Sequence, residues 1–283
     1  MDEFLQALTQ GILIGSTYGL LALGMGLTYG VSSIVNFSHG DFVSLGMFMC
    51  LALYSSLALD PYVSILITLP ALTLLGALVY RFLIQPIASS HLLMIIQLTL
   101  GLTLVLQNGL LMIFGGQPAR TPSVVESKLI LLGDVVMRLP HVIACVVSFA
   151  LAGLLYVMLR YTDTGRSIRA VHQNARAAAL MGIDVGRVQI ITFAIGIGLL
   201  AIAAALLLPG TPIHPSQGLR YTVITLLVVV LGGMTNFLGI ILSGLVIGIS
   251  EAMGTVYLPS VLGLLLPYLI FVTIMLLRPQ QRT

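Results

Sequence analysis

Charge is what this sequence has least of. Only 7% of its 283 residues are Asp, Glu, Lys or Arg, against roughly a quarter in soluble globular domains. Hydrophobic residues make up 58% and the mean hydropathy is +1.11. That balance excludes a soluble fold. Lysine is almost missing: Lys128 stands alone, and no G-x-x-x-x-G-K-[ST] loop occurs, so the chain does not bind and hydrolyse ATP by that route. Cysteine is scarce too. Cys50 and Cys145 sit in apolar runs, where they act as small hydrophobes rather than as a disulfide framework. The histidines at 39, 91, 141, 172 and 214 are scattered, with no Cys/His metal cluster, no H-E-x-x-H and no G-x-S-x-G. The opening MDEFLQALTQG lacks a basic n-region and a small-residue cleavage site, so the first apolar segment reads as a retained span.

What is present is a succession of apolar runs. A spanning helix needs about 20 apolar residues, and candidates run from about Phe4 to Tyr29, Ser38 to Leu59, Pro61 to Leu83, Leu92 to Phe114, Leu139 to Arg160, Val185 to Leu208, Tyr221 to Met234, Leu238 to Tyr257 and Leu262 to Leu277. The fold class is therefore an all-α polytopic membrane protein, a helical bundle of eight or nine spans. Residues 1–283 form one transmembrane domain, with no room for a separate soluble one. Tyr221 to Met234 is the weakest span. Placing the Arg-rich stretch near 161–187 in the cytoplasm puts eight basic residues inside (Arg81, Arg160, Arg166, Arg169, Arg176, Arg187, Arg278, Arg282) and four outside (Arg120, Lys128, Arg138, Arg220). The positive-inside rule then sets the chain N-out and C-in. The periplasmic loop, 115–140, carries apolar runs between turn residues that predict one short hairpin.

Glycines recur at small-residue spacings, Gly11, Gly15 and Gly19 or Gly239, Gly244 and Gly248 among them, which lets helices pack closely in lipid. Val35-Asn36-Phe37 and Thr235-Asn236-Phe237 read as a trace of an internal repeat. Polar groups inside the apolar runs are candidates for a solute pathway. Asn36, Ser38, His39 and Asp41 form the densest cluster. Ser38 and Asp41 have the spacing of a capping box, and Gly40 permits a broken helix whose amides line a route for a polar solute. Gln107 and Asn108, with Gln97, Thr99 and Thr103, fall at helical intervals on the fourth span, suited to interhelical hydrogen bonds or to pathway lining. Glu251 is the most isolated acid in any span, either a functional-site candidate or a group near the outer end of its span that snorkels to water. An intramembrane enzyme built on Ser38, His39 and Asp41 is disfavoured, because adjacent residues at a helix start point in different directions. Asp60-Pro61, Thr164 and Asp184 read as helix caps.

The remaining polar segment, YTDTGRSIRAVHQNARAAALMGIDVGR (161–187), places Arg166, Arg169, Gln173 and Arg176 on one helical stripe. Ile168, Val171, Ala175, Ala178 and Ala179 fall on the opposite arc. With Ala177-Ala178 and Gly182, it resembles the cytoplasmic coupling loop of ABC-importer permeases. Together with GILIGSTYGLLALGMGLTYGVSSIVNFSHGDFVSLG near the start and LVVVLGGMTNFLGIILSGLVIGISEAM near the end, it resembles the shorter permease subunit of the branched-chain amino acid (high-affinity Leu/Ile/Val) ABC-importer family. That resemblance implies a multi-pass permease of the bacterial inner membrane. Its implied partners are a second related permease, two cytoplasmic ABC ATPases, a periplasmic solute-binding protein and membrane lipid, with no nucleic acid. ATP and Mg would belong to the ATPases, leaving this chain no cofactor and no catalysis. Gly165, Arg166, Arg169, Arg176, Ala177, Ala178 and Gly182 would couple it to them. Arg176 stands where the family's signature often begins with an acid. Related systems carry branched-chain and other neutral amino acids, urea or short amides, and a secondary transporter or channel would show a similar bundle without needing the coupling loop.

Overall fold

The computed structural model describes residues 2–88, 90–133 and 135–277. Helices dominate: α1 (Asp2–Ser32), α2 (His39–Leu57), α3 (Pro61–Val79), α4 (Leu92–Phe114), α5 (Leu139–Tyr161), α6 (Asp163–Gln173), α7 (Ala175–Leu180), α8 (Val185–Leu207), α9 (Gly218–Gly232), α10 (Phe237–Tyr257) and α11 (Ser260–Leu277). Among the described residues, eight helical segments are long and apolar enough to cross a membrane, and α11 adds a further apolar helix. The loop after α4 holds the expected hairpin, β1 (Leu129–Leu132) against β2 (Val135–Arg138). Asp60 caps α3 by accepting from the Tyr62 amide, with Pro61 as its first residue, and Asp184 caps α8 by accepting from the Arg187 amide.

The centre of the bundle is α1 with α8 and α10. α1 runs for 31 residues, about 46 Å at 1.5 Å per residue, and is apolar nearly all round, as a helix enclosed by others must be. Its small residues decide how close its neighbours come. A Cβ on Gly15 would stand 2.7 Å from the Gly244 carbonyl oxygen, and one on Gly24 would stand 2.9 Å from that of Gly196. Backbones therefore touch along the α1–α10 seam and where α1 crosses α8, which gains dispersion contacts where lipid supplies no hydrophobic drive. The outer helices α3, α4 and α5 show Leu66, Leu104, Val105 and Leu154 to the surroundings, as lipid-facing sides do.

Helix contacts come in matching pairs. α1 packs along α10 as α3 packs along α8; α1 touches α9 as α2 touches α8; α2 meets α4 as α9 meets α11. This is the pattern of an inverted repeat relating α1–α4 to α8–α11, with α1 crossing α8 and α2 meeting α9 on the axis. The two Asn-Phe tripeptides are not its trace. Asn36 is buried in the irregular stretch between α1 and α2, whereas Asn236 is an exposed cap of α10. The repeat matches the break before α2 with the break before α9.

The weak seventh span has a physical cause. α9 is 15 residues, about 22 Å, short of the ~30 Å hydrocarbon thickness. It starts inside the bundle, after the irregular segment 208–214 and the short 3₁₀ turn Pro215–Gln217. Arg220 is therefore part of α9 and not of an outside loop. Arg278 and Arg282, counted on the inner side, lie outside the described residues.

Candidate functional site

α2 and α9 begin against each other. Gly40 packs on the Gly218 carbonyl and on Thr222, and its amide donates to Thr222 Oγ1 at 2.9 Å. The depth of this junction follows from its partners. His39 Nε2 lies 3.0 Å from the carbonyl oxygen of Leu21, which is about 16 Å along α1 from its Ser32 end. Gln107, about 22 Å from the start of α4, donates from Nε2 to Asp41 Oδ1 at 2.9 Å. Two helix N-termini thus converge near the middle of the membrane. Each carries partial positive charge, and the Asp41 carboxyl stands between them, against Gly218.

The expected Ser38–Asp41 capping box does not form. Ser38 precedes α2 but makes no side-chain cap. Its amide and hydroxyl both donate to Asn36 Oδ1, at 3.1 and 2.7 Å, which holds the unwound stretch in shape. Asp41 points to α4 instead: Oδ1 accepts from Gln107, while Oδ2 is buried without a hydrogen-bond partner. Asn36, Ser38, His39 and Asp41 therefore form one buried cluster, with half-buried Gln107 at its edge and the Thr103 hydroxyl facing the same carboxyl. Asn36 Nδ2 and His39 Nδ1 have no hydrogen-bond partner there. Gln97 and Asn108 are not part of it; both are exposed, Asn108 bonding its own helix at Leu104. Replacing Asp41 with asparagine keeps an acceptor for Gln107 but removes the carboxyl that faces the two helix starts. We expect a loss of about 1–2 kcal/mol, read as a lowered melting temperature in detergent with insertion retained.

Glu251 lies on the other side of α9. Oε1 accepts from Arg220 Nη2 at 2.9 Å, and Oε2 accepts from Tyr18 Oη at 2.8 Å. The Glu251 side chain is 13% exposed and that of Arg220 is 52% exposed, so the pair is half open where the Asp41 cluster is closed. Sequence reasoning missed Arg220 because a short helix with a charged start reads as loop. Its signal was the Pro-Ser-Gln-Gly-Leu-Arg run opening an apolar segment.

The polar cassette is two helices, not one. Asn174 adopts an extended backbone and accepts from the Ala177 amide, ending α6 and capping α7. Arg176 thus leaves the stripe formed by Arg166, Arg169 and Gln173. The cap of α6 is Thr162, whose Oγ1 accepts from the Gly165 amide, and not Thr164. Ile168 and Val171 bury against Val31, Ala178 and Val188, and His172 Nδ1 contacts the Gly30 carbonyl, so α6 is fastened to the ends of α1 and α8. Ala175 and Ala179, expected on the packed arc, are exposed because the break re-aims them.

The glycines and alanines of the cassette separate by role. Gly165 is buried on the backbone of Met158 and Leu159, a close approach that a side chain would block. Gly182 has φ +87° and follows α7 in a turn where the Ile183 amide reaches the Ala178 carbonyl at 3.1 Å, the left-handed position that glycine fills without penalty. Ala178 faces in; Ala177, Arg166, Arg169 and Arg176 face out. Beside them Leu180 is 89% exposed and Met181 83%. These two apolar side chains on a polar loop were not singled out by sequence, although the Ala-Leu-Met-Gly ending of the alanine run marks them.

Comparison with known proteins places this arrangement. The family described as branched-chain amino acid transport system / permease component matches residues 7–275. The high-affinity branched-chain amino acid transport system permease protein LivH of Escherichia coli K12 is 27% identical, over 98% of this chain and 94% of its own length. Its counterpart BraD from Pseudomonas aeruginosa is 26% identical, covering 89% and 86%. A probable branched-chain amino acid transport permease protein LivH from Methanocaldococcus jannaschii is 29% identical, covering 89% and 81%. No solved structure matches the chain significantly. A family match running through the bundle, the mid-membrane junction and the cassette settles membership: the chain belongs to the branched-chain amino acid transport system permease family.

Proposed function

We propose that this chain is one half of the translocation pathway of a binding-protein-fed ABC importer for branched-chain or other neutral amino acids. A second related permease supplies the other half, and two cytoplasmic ATPases drive it with ATP and Mg. The observation that carries the reading is the outward face of the α6–α7 elbow, where Arg166, Arg176, Ala177, Leu180 and Met181 stand clear of the bundle and exposed Arg169 marks the edge of that face, while the opposite face is fastened to the bundle. A surface that is cationic, apolar at its tip and rigidly backed suits docking to a partner. Gly165, Ala178 and Gly182 support that face from behind.

The half-open Arg220–Glu251 pair supports a zwitterionic solute. An amino acid carries an ammonium and a carboxylate, and this pair offers a counter-charge to each beside the short α9. The closed Asn36–Asp41 junction serves the same pathway as its hinge, since two helices that start in mid-membrane and meet through glycines can part there. Urea or a short amide would need neither charge.

Purifying the tagged chain from its native membranes tests the proposal. A second permease and an ATPase pair should co-purify, and hydrolysis should rise with a neutral amino acid presented on its binding protein and not with urea or acetamide. Stimulation by the amides would move the substrate assignment, and a chain that purifies alone and moves solute in liposomes without ATP would replace the importer with a secondary transporter or channel.

A further inference from the structure

The last turns of α1 and α5, the face of α6 and the first turn of α10 enclose an apolar cavity of about 390 Å³ at the cassette end of the bundle. Leu27, Leu155, Ile168 and Phe237 are among its walls, and Arg160 and Arg169 are at its margin. Arg160 is held in place: its Nη1 donates to Tyr156 Oη at 2.7 Å, and its guanidinium lies over the Tyr156 and Tyr161 rings at 5.9 and 5.6 Å. Tyr156 in turn packs on Phe237 across the groove, ring centres 5.9 Å apart. The other charges nearby are committed elsewhere. Arg166 pairs with Asp163, and His172 is engaged by the Gly30 carbonyl. Among the described residues, no carboxylate lies within ion-pair distance of Arg160 or Arg169.

The cavity opens where spans end. α5 reaches its last turn there and α10 its first, the level at which hydrocarbon gives way to headgroups, so the occupant must be apolar toward the bundle and anionic toward the arginines. We propose that this is a binding site for one anionic phospholipid, an acyl chain lying along Leu27, Leu155 and Phe237 and the phosphate between Arg160 and Arg169. Basic pockets between spans recognise anionic headgroups in this way. α6 is one wall of the cavity, so a bound lipid fastens the cassette to α1 and α5 and links membrane composition to coupling. That consequence rests on the importer reading; the site itself does not.

The test is photolabelling of the full-length protein in nanodiscs with a photoreactive phosphatidylglycerol, mapped by peptide sequencing. Label is expected on peptides spanning 155–160 and 168–172. Excess phosphatidylglycerol should compete, and phosphatidylcholine and inorganic phosphate should not. R160Q and R169Q should each reduce labelling about five-fold, as expected for the loss of one basic contact to an anionic membrane lipid, while R160K retains it. R120Q, at the far loop, should label like the parent, and all variants should keep a monodisperse elution peak. Undiminished labelling of the R160Q/R169Q double variant, equal competition by phosphatidylcholine, full protection by inorganic phosphate, or cross-linking of these residues to a second polypeptide would each overturn the site. Because lipid labelling is the readout and not uptake, failure here leaves the importer proposal standing, and failure of that proposal leaves this result readable.

Discussion

Replacing Leu180 and Met181 together with aspartate is expected to lower binding-protein-dependent uptake about 30-fold or more, the effect of losing a contact worth at least 2 kcal/mol at a partner surface. Both side chains are almost fully exposed, so the variant removes no internal packing and should insert and elute like the parent. Two aspartates at this tip would also lie beside Arg176 and weaken its field. The measurement is uptake into proteoliposomes alongside recovery of the ATPase on the tagged chain. Loss of both together is the expected result; full uptake with the ATPase retained would mean that α7 is not the docking tip. Ala178→Asp is a poor substitute for this test. Ala178 is buried against Ile168 and Val188, so its loss of function would report collapse of the cassette.

The second large effect concerns two glycines given the same substitution. Gly40→Ala is expected to destabilise the protein by about 2–3 kcal/mol, whereas Gly109→Ala is expected to stabilise it by about 0.5–1 kcal/mol. A Cβ at Gly40 would stand 2.5 Å from the Thr222 amide nitrogen and 2.7 Å from its hydroxyl. Backbone of a second helix start cannot yield as a flexible side chain can. Nothing lies within 4 Å of a Cβ at Gly109, so there the intrinsic preference of alanine for a helix acts alone. Thermal melts of the two variants in one detergent check the opposite signs. Equal shifts would mean that the α2–α9 junction is not closed through glycine.

This multi-pass membrane permease component illustrates what a pattern can carry. Low charge and long apolar runs are properties of single segments, so they determined the spans, the helical class and the hairpin after α4 without any contact being known. The same holds for the caps at Asp60 and Asp184, where a side chain serves amides a few residues away. The cassette was legible for the same reason, as charge collected in one place. Its break at Asn174 was not, because a capping asparagine and a helical one differ only in what the rest of the chain makes favourable.

Tertiary structure alone decided where those segments meet. Asp41 looked like a local cap and instead stands where two helix starts converge, with Gln107 delivered from α4 at 2.9 Å. Glu251 gave no hint that its partners are Arg220, 31 residues earlier, and Tyr18, 233 residues earlier. The repeat lay in how α1–α4 and α8–α11 pair, not in the Asn-Phe tripeptides. Periodicity records which face of a helix is buried and local spacing records which amides are capped, but neither encodes which distant helix supplies the burial. In a bilayer that choice falls to close backbone contact and to pairing of the few polar groups, which arise only when the segments assemble.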